Sequence, residues 1–532
     1  MKGDGIQGRC YVILFALAAT ALCGAAQAGP ANSAPARGGA RADIARFAAR
    51  TEAALGAAGA SQGDWGLLVA DADTGQVLYE KNADSYFLPA SDAKLFTTAL
   101  ALAILGPEFR VRTTIETHGT LDSSGSLRGD LVLVGRGDPS LSNRKFPFEK
   151  VVEHEGPPEK ALADLADQVV AHGVKEIEGD IVADDTYLAY ERFPEGWAVD
   201  DLLWSSGAPV SAIAINDNTF TLVVHAGARE GDPATFDAEP WAGFYTIENS
   251  IVTGARGSQE KIRVSREPGS RTVRLGGTIP AGAAPRELAL SIEEPAEYAA
   301  ALLTKLLEAR GVKIFGQARA LHAEPPAELV DPPAAAASET TVLAEHVSPP
   351  LAEDVRLVNK MSVNLHAELL LRVAAKEKSG AVTLDDALQF SKAFFQNAGL
   401  PENSAVMNDG SGLSRRDLVT PRGVVWLLEW AAKQPWGATY RASLPIAGED
   451  GTLAGRMKAT PAAEVIQAKT GTVEHVNALS GYATTAHGAH LVFSFFGNNE
   501  AMHASEGEIV LDAIAVAMVE ELRPAPKIPG HK

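Results

Sequence analysis

The sequence predicts an α/β (α+β) domain split in two by a long β-rich insertion that forms one or two further domains. Two observations carry this. The ends of the chain share one texture: strand, turn, strand and helix near residues 65–105, then helices with three strand-like runs from about 350 to 523. From about residue 108 the texture changes to short strands of alternating polarity separated by turn residues. The economical arrangement is a split unit at 29–107 and 340–524, inserted domains at 108–339, and a flexible tail at 525–532.

At the N-terminus, Lys2 and Arg9 precede the apolar run YVILFALAATAL, and Ala26-Gln27-Ala28 follows it. Charged start, short apolar core and small-residue cleavage site are the parts of a secretory signal over 1–28. The run is too short to span a bilayer comfortably, and no later run reaches ~18 apolar residues. No transmembrane anchor is expected in the mature chain, which leaves peripheral membrane association open. Leu22-Cys23 raises lipid acylation as an alternative, although such sites usually carry a small residue before the cysteine. Both cysteines, Cys10 and Cys23, lie in this signal, so a cleaved chain has no thiol for disulfides, nucleophiles or thiolate metal sites.

Residues 29–42 are rich in Gly, Ala and Pro and read as flexible. WGLLVADADTGQVLYEKN (65–82) reads as a hairpin, with Asp73-Thr74-Gly75 as its turn. PASDAK opens a helix that runs to about Leu105 and stops before Pro107. The insertion offers the strands RVRTTIETHG, GDLVLVG, KEIEGDIVADD, NTFTLVVH, EKIRVSRE and RTVRLGGTI. One amphipathic helix, EYAAALLTKLLEARG, interrupts them, with Ala299, Leu302, Leu303, Leu306 and Leu307 as its core stripe. AEPPAELVDPPAAAAS (323–338) reads as a boundary linker, after which LAEDVRLVNKMSVNLHAELLLRVAAKE reads as helix. EVIQAKTGTVEHV, NALSGYATTA and HLVFSFFGNN are three strands, and EGEIVLDAIAVAMVEELR is a closing helix.

Length and charge bound the function. A chain of 532 residues exceeds one ordinary core. Its 47 Lys and Arg against 67 Asp and Glu give −20, which argues against nucleic acid or an anionic lipid surface as partner.

Ser-x-x-Lys occurs three times, at Ser91–Lys94, Ser142–Lys145 and Ser258–Lys261. Only the first opens a helix, where residues i and i+3 share a face and the amine can reach the hydroxyl. Ser362-Val363-Asn364 lies in the helical stretch LVNKMSVNLHAE, and Lys469-Thr470-Gly471 ends the strand run EVIQAKTG. A serine hydroxyl needs a base to become a nucleophile. Lys94 serves only when neutral, and burial beside a second cation such as Lys469 favours that form. Unpaired N–H groups at a helix start suit a developing oxyanion. Ser362 can relay a proton to a leaving amine, Asn364 can orient Lys94 and a substrate amide, and Lys469 with Thr470 suits a carboxylate. Gly471 lets the strand backbone approach closely. His366 and Glu368, two apart, suggest a surface or packing role, and no cluster has metal-ligand spacing. Neither a metal nor another cofactor is expected.

The three motifs in this order match the signature of serine penicillin-recognising enzymes. The Ser91–Ser362 interval with a β-rich insertion inside it resembles the class C low-molecular-mass penicillin-binding proteins. These are the peptidase S13 family of D-alanyl-D-alanine carboxypeptidases and endopeptidases. GDLVLVGRGDPSL, GDIVADDTYL, GAPVSAIAINDNTF, NDGSGLSRRDLVTP and KTGTVEHVNALSGY resemble it too, so that the likeness covers roughly 45–520.

The resemblance implies a serine β-lactamase/penicillin-binding transpeptidase-like fold for the split domain. It implies a periplasmic enzyme that acts on peptidoglycan stem peptides and takes β-lactams as covalent inhibitors. Ser91 would be acylated, Lys94 would be general base, and Ser362 and Asn364 would transfer protons and position. Lys469 and Thr470 would hold the terminal carboxylate, and the Ser91 and Thr472 N–H groups would form the oxyanion hole. Asp185 and Arg415 would bind the amine and carboxylate of meso-diaminopimelate. The chain departs from the family's frequent Ser-Asp-Asn in carrying Val363 at the middle position. A β-lactamase would need fast deacylation, and a peptidoglycan-binding scaffold would show a broken motif. None is broken here.

Overall fold

The structure, a computed structural model, describes residues 41–57, 59–325 and 340–524. The expected signal at 1–28, the tail at 525–532 and most of the proline-rich stretch lie outside these residues. The described residues from Ala42 onward form one compact unit.

The ends of the chain meet in a five-stranded antiparallel sheet. Its order is Val77–Lys81, Asp64–Asp71, His490–Asn498, Val476–Thr484, Ile466–Val473. Both faces are covered, so the central strands are apolar on both sides instead of alternating. Leu67 and Val69 pack with Phe47, Leu511 and Met518 from the helices Ala42–Leu55 and Ala504–Glu521. Leu68 and Ala70 face the other way, toward Leu95, Leu100, Val424 and Leu428 from the helices Lys94–Leu105 and Pro421–Ala432. A helix as uniformly apolar as KLFTTALALAIL is stable only when enclosed, and its first nine residues are buried. It ends at Gly106, at φ +81°, just before Pro107. The hairpin turn is pinned by Asp71, whose carboxylate accepts from Thr74 N at 2.9 Å and Thr74 Oγ1 at 2.8 Å.

The middle of the chain builds other sheets. A mixed five-stranded one runs Ala318–Ala323, Ile181–Ala189, Leu131–Val134, Arg112–Thr117, Thr341–Val347. The expected boundary at 340 precedes Thr341–Val347, which pairs with Arg112–Thr117, so the chain enters and leaves this sheet on neighbouring strands. Two three-stranded sheets lie between, over 219–291. Among its described residues the insertion carries two α-helices, not one. Pro295–Ala309 matches the predicted stripe, and Lys160–Ala171 buries Leu162, Leu165 and Val169 in the same core.

The helix read through Ser362 is in fact two helices, Leu351–Met361 and Asn364–Ser379. Ser362 adopts the left-handed conformation, φ +60° and ψ +37°, and Val363 is extended. The apolar spacing continues across the break, so periodicity alone does not mark it. Two short helices with Ser362 at their joint can present this side chain outward, where a straight helix would pack it along a flank.

Phe496, fully buried on the central strand, stacks on Phe87 at 5.9 Å. Phe496→Ala is expected to lower stability by about 3–5 kcal/mol. The shift of the guanidinium unfolding midpoint at constant slope checks this.

Candidate active site

Ser91 lies in a single 3-10 turn, Ala90–Ala93, that leads directly into Lys94–Leu105. Ala90 has φ +46°, an uncommon value for a residue with a side chain. Two glycines enclose this turn. A Cβ on Gly471 would stand 2.6 Å from Pro89 O and 3.1 Å from Ser91 N. A Cβ on Gly412, at φ +79°, would stand 1.8 Å from Ala90 O. The strand Ile466–Val473 and the loop 409–414 can therefore press against the Ser91 backbone only because these positions lack side chains.

Lys94 is fully buried, and its Nζ meets three oxygens: Ser91 Oγ at 2.9 Å, Asn364 Oδ1 at 2.6 Å and Ser411 O at 2.6 Å. Asn364 Nδ2 donates to Ser206 O at 2.8 Å, which turns its oxygen toward Lys94. A neutral amine satisfies the whole arrangement. Its two N–H bonds serve the two carbonyl oxygens, which cannot donate, and its lone pair accepts the Ser91 hydroxyl proton. Burial, and then the charge of Lys469, pushes Lys94 well below the usual lysine range, against the pull of Asp409, Glu368 and Asp92.

Lys469 Nζ donates to Ser362 Oγ at 2.9 Å and to Thr470 O at 2.7 Å, and Thr470 Oγ1 donates to Thr452 Oγ1 at 2.7 Å. Burial, opposed by the Asp92 carboxyl, pushes Lys469 down to about 8. Asp92, next to Ser91 and fully buried, is itself pushed up to about 7 by burial.

The loop 409–414 is folded around one carboxylate. Asp409 accepts from Ser411 N, Ser411 Oγ, Gly412 N and Ser414 N at 2.6–3.1 Å, and from Trp197 Nε1 at 2.9 Å. Asp409 thereby aims the Ser411 carbonyl at Lys94. Trp197 belongs to the inserted region. So do Glu195, whose carbonyl accepts from Ser414 Oγ at 2.7 Å, and Gly196, whose carbonyl accepts from Arg415 N at 3.0 Å.

A cleft of about 420 Å³ opens over Ser91. Ser362, Asn364, Thr472 and Arg415 line it, and the inserted segment contributes Asp200, Asp201 and Ser206. Arg415 NH2 stands 4.0 Å from Asp201 Oδ2. The structure thus brings together Ser91, Lys94, Ser362, Asn364, Lys469, Thr470, Gly471, Thr472 and Arg415. Asp185 is not part of the cleft. It is buried, with its carboxylate bonded to Ser211 Oγ and His322 Nδ1, each at 2.8 Å. Acidic side chains reach the cleft from Asp200 and Asp201 instead. Sequence reasoning missed these two, along with Asp409, Ser411 and Trp197; the stretch NDGSGLSRRDLVTP was the available signal for the loop. His366 and Glu368 are both buried, so of the two expected roles the surface one does not hold. Among the described residues no group of three or more His, Cys, Asp or Glu is placed to hold a metal ion.

Gly412→Ala forces a methyl against the backbone of Ala90 and is expected to slow acylation of the Ser91 hydroxyl by a serine-directed reagent by about 100-fold, the scale of an ångström's misplacement. Stopped-flow acylation kinetics on a variant of unchanged far-UV circular dichroism checks this.

Comparisons with known proteins show the family and the fold. Residues 48–519 match the D-Ala-D-Ala carboxypeptidase 3 (S13) family. A D-alanyl-D-alanine carboxypeptidase of Actinomadura sp. (strain R39) is 37% identical over 465 residues, covering 86% of this chain and 81% of that protein. The crystal structure of penicillin binding protein 4 (dacB) from Haemophilus influenzae superposes with a TM-score of 0.73 at 23% identity, over 89% of this chain and 98% of that one. A second structure of that protein, complexed with a β-lactam, gives a TM-score of 0.69 at 22% identity over 90% and 99%. The α/β architecture with its inserted sheets is therefore that of penicillin-binding proteins, and the chain belongs to the S13 family of serine-type D-Ala-D-Ala carboxypeptidases.

Proposed function

We propose that the protein is an exported, periplasmic D,D-peptidase that works through an acyl-enzyme on Ser91. It removes the terminal D-Ala of peptidoglycan stem pentapeptides and cleaves D-Ala–diaminopimelate crosslinks, and it is acylated by penicillin. One observation carries the reading: the buried Lys94 amine has two carbonyl acceptors and one hydroxyl as its bonded partners. This leaves its lone pair for the Ser91 proton.

Lys94 takes the proton as Ser91 Oγ adds to the penultimate D-Ala carbonyl. The oxyanion forms against the N–H groups of Ser91 and Thr472. Collapse of the intermediate breaks the amide bond, and the leaving amine takes the Lys94 proton through Ser362, which returns Lys94 to the neutral amine. Lys94 then activates water to hydrolyse the ester. Cationic Lys469, with Thr470, holds the terminal carboxylate, which a β-lactam carboxylate mimics. The close contact of Lys469 with Ser362 supports a shared role in proton delivery. Arg415 paired with Asp201, with Asp200 also lining the cleft, supports binding of a side chain that bears both an amine and a carboxylate, as diaminopimelate does. In this reading the domain division is catalytic at both ends and inserted in the middle, with the insertion supplying one wall of the cleft.

Four outcomes test the proposal. The mature protein incubated with a fluorescent penicillin should gain one adduct mass, and Ser91→Ala should gain none; an unlabelled, folded parent would overturn the enzyme reading. Arg415→Ala should lower kcat/KM for a diaminopimelate-containing peptide by about 10- to 100-fold, the scale of a charge-assisted hydrogen bond. The same variant should leave benzylpenicillin acylation within about threefold, because that ligand lacks the second carboxylate. Activity should also follow a bell in pH. It rises as Lys94 loses its proton, at a pH well below the usual lysine range, and falls as Lys469 loses its own near about 8. A kcat/KM profile that climbs steadily past pH 9 would refute the cationic role of Lys469.

A further inference from the structure

The joint between Leu351–Met361 and Asn364–Ser379 places Ser362 in a left-handed conformation that a non-glycine residue keeps only when its surroundings impose it. Beside the joint, on the first turn of the second helix, stands His366, which is 1% exposed. Both ring nitrogens face carboxylates. Nδ1 is 2.6 Å from Asp354 Oδ1, on the helix Leu351–Met361. Nε2 is 3.0 Å from Asp217 Oδ1, in the inserted region. A neutral imidazole has one N–H, so it leaves one of these carboxylates facing a lone pair. Only the doubly protonated ring donates to both.

The rest of the environment is consistent with a cation. Arg144 grips Asp217 through both guanidinium NH2 groups, so that Asp217 and Asp354 are balanced by Arg144 and His366. His154, whose backbone bridges to Arg144, feels the charges of Arg144 and Asp217, and the buried Asp138 feels that of Asp354. Asp217 reaches this position at a conformational cost. Asn216, Asp217 and Asn218 have φ of 49°, 56° and 52°, three consecutive left-handed residues without a glycine. The strained run presents its carboxylate to a histidine two residues from Asn364.

We propose that His366 is a positioning residue for the reaction, a buried imidazolium that ties both helices and the inserted region together and thereby sets the placement of Ser362 and Asn364. This rests on the roles given to those two residues above. The attraction of Asp354, then of Asp217, outweighs burial and raises the ring to about 9 from an ordinary 6.5. With the folded value raised, the clamp is complete below the ordinary value and is lost as pH rises through about 9.

The experiment combines kinetics with side-chain nitrogen-15 NMR on the full mature chain. His366→Gln should remain folded and lose kcat by about 10- to 100-fold. Noncovalent binding of the stem peptide, measured in a Ser91→Ala background, should stay within twofold. The parent spectrum should show one imidazolium that persists from pH 6 to 8, is absent from His366→Gln, and titrates at lower pH in Asp354→Asn. Unchanged kcat in His366→Gln overturns the proposal. So does loss of kcat and binding together with the melting temperature, or a ring that titrates near 6.5. If His366→Gln does not fold, Asp354→Asn decides: a lowered titration with unchanged kcat at pH 8 sinks the positioning role. The NMR result stands whether or not the stem peptide is the substrate, so failure of this inference is distinguishable from failure of the proposed function.

Discussion

The site depends on holding a lysine amine neutral, in one orientation, beside a serine hydroxyl. Burial begins the first part, because an ammonium without solvent is strongly disfavoured, and the charge of Lys469 completes it. It does nothing for orientation. The second part comes from two carbonyl oxygens that fix both N–H bonds of Lys94, one from Asn364 and one from Ser411. Each is fixed in turn. Asn364 is locked by the Ser206 carbonyl on its far side, and Ser411 by the Asp409 carboxylate at the centre of its loop. Close packing makes these placements sharp, and the glycines at 412 and 471 permit the backbone approach that packing requires.

This chain of support runs through the insertion. Ser206 and Trp197 both belong to it, and they hold the outer partners of Lys94. In the proposed mechanism the insertion is therefore part of the catalytic geometry as well as a wall of the cleft. A preorganised site gains most when its orienting groups belong to rigid elements. Here the orienting segment, 195–207, is irregular, and it gains rigidity from bonds to the loop 409–414 instead of from a ladder of its own.

The fold and the three motifs were legible because each has a local signature. The central sheet shows as apolar runs bounded by turns, and the helix after Ser91 as an unbroken apolar stretch. Ser91, Lys94, Ser362, Asn364 and Lys469 stand in an order that a sequence displays directly. The misses share a different cause. The break at Ser362 is one residue's backbone angle inside a pattern whose apolar spacing never falters. The helix Lys160–Ala171 is short, and its small stripe was overshadowed by the strands around it. Asp185 and Asp201 are both acidic residues of the insertion, and nothing in their neighbours says which one faces Ser91. Only the three-dimensional course of 185–207 decides that Asp185 turns toward His322 and Asp201 toward Arg415.

Two buried lysines in one site pose a problem that the surrounding carboxyls resolve. Burial disfavours the charge on both, yet the proposed chemistry needs Lys94 neutral and Lys469 cationic. Their direct partners do not separate them, since each meets only hydroxyl and carbonyl oxygens. The difference lies one layer out. Lys469 is opposed in its loss of charge first by Asp92, whereas Lys94 feels the Lys469 charge more strongly than any single carboxylate. Asp92 and Lys469 favour each other's charged forms against burial: the carboxylate holds the lysine up, and the lysine charge holds the carboxyl down. A cation fixed there then keeps Lys94 neutral by repulsion. The residue next to the nucleophile in sequence thus acts on the nucleophile's base indirectly, through the second lysine. This is the environment-driven separation of like groups that assigns acid and base roles in an active site.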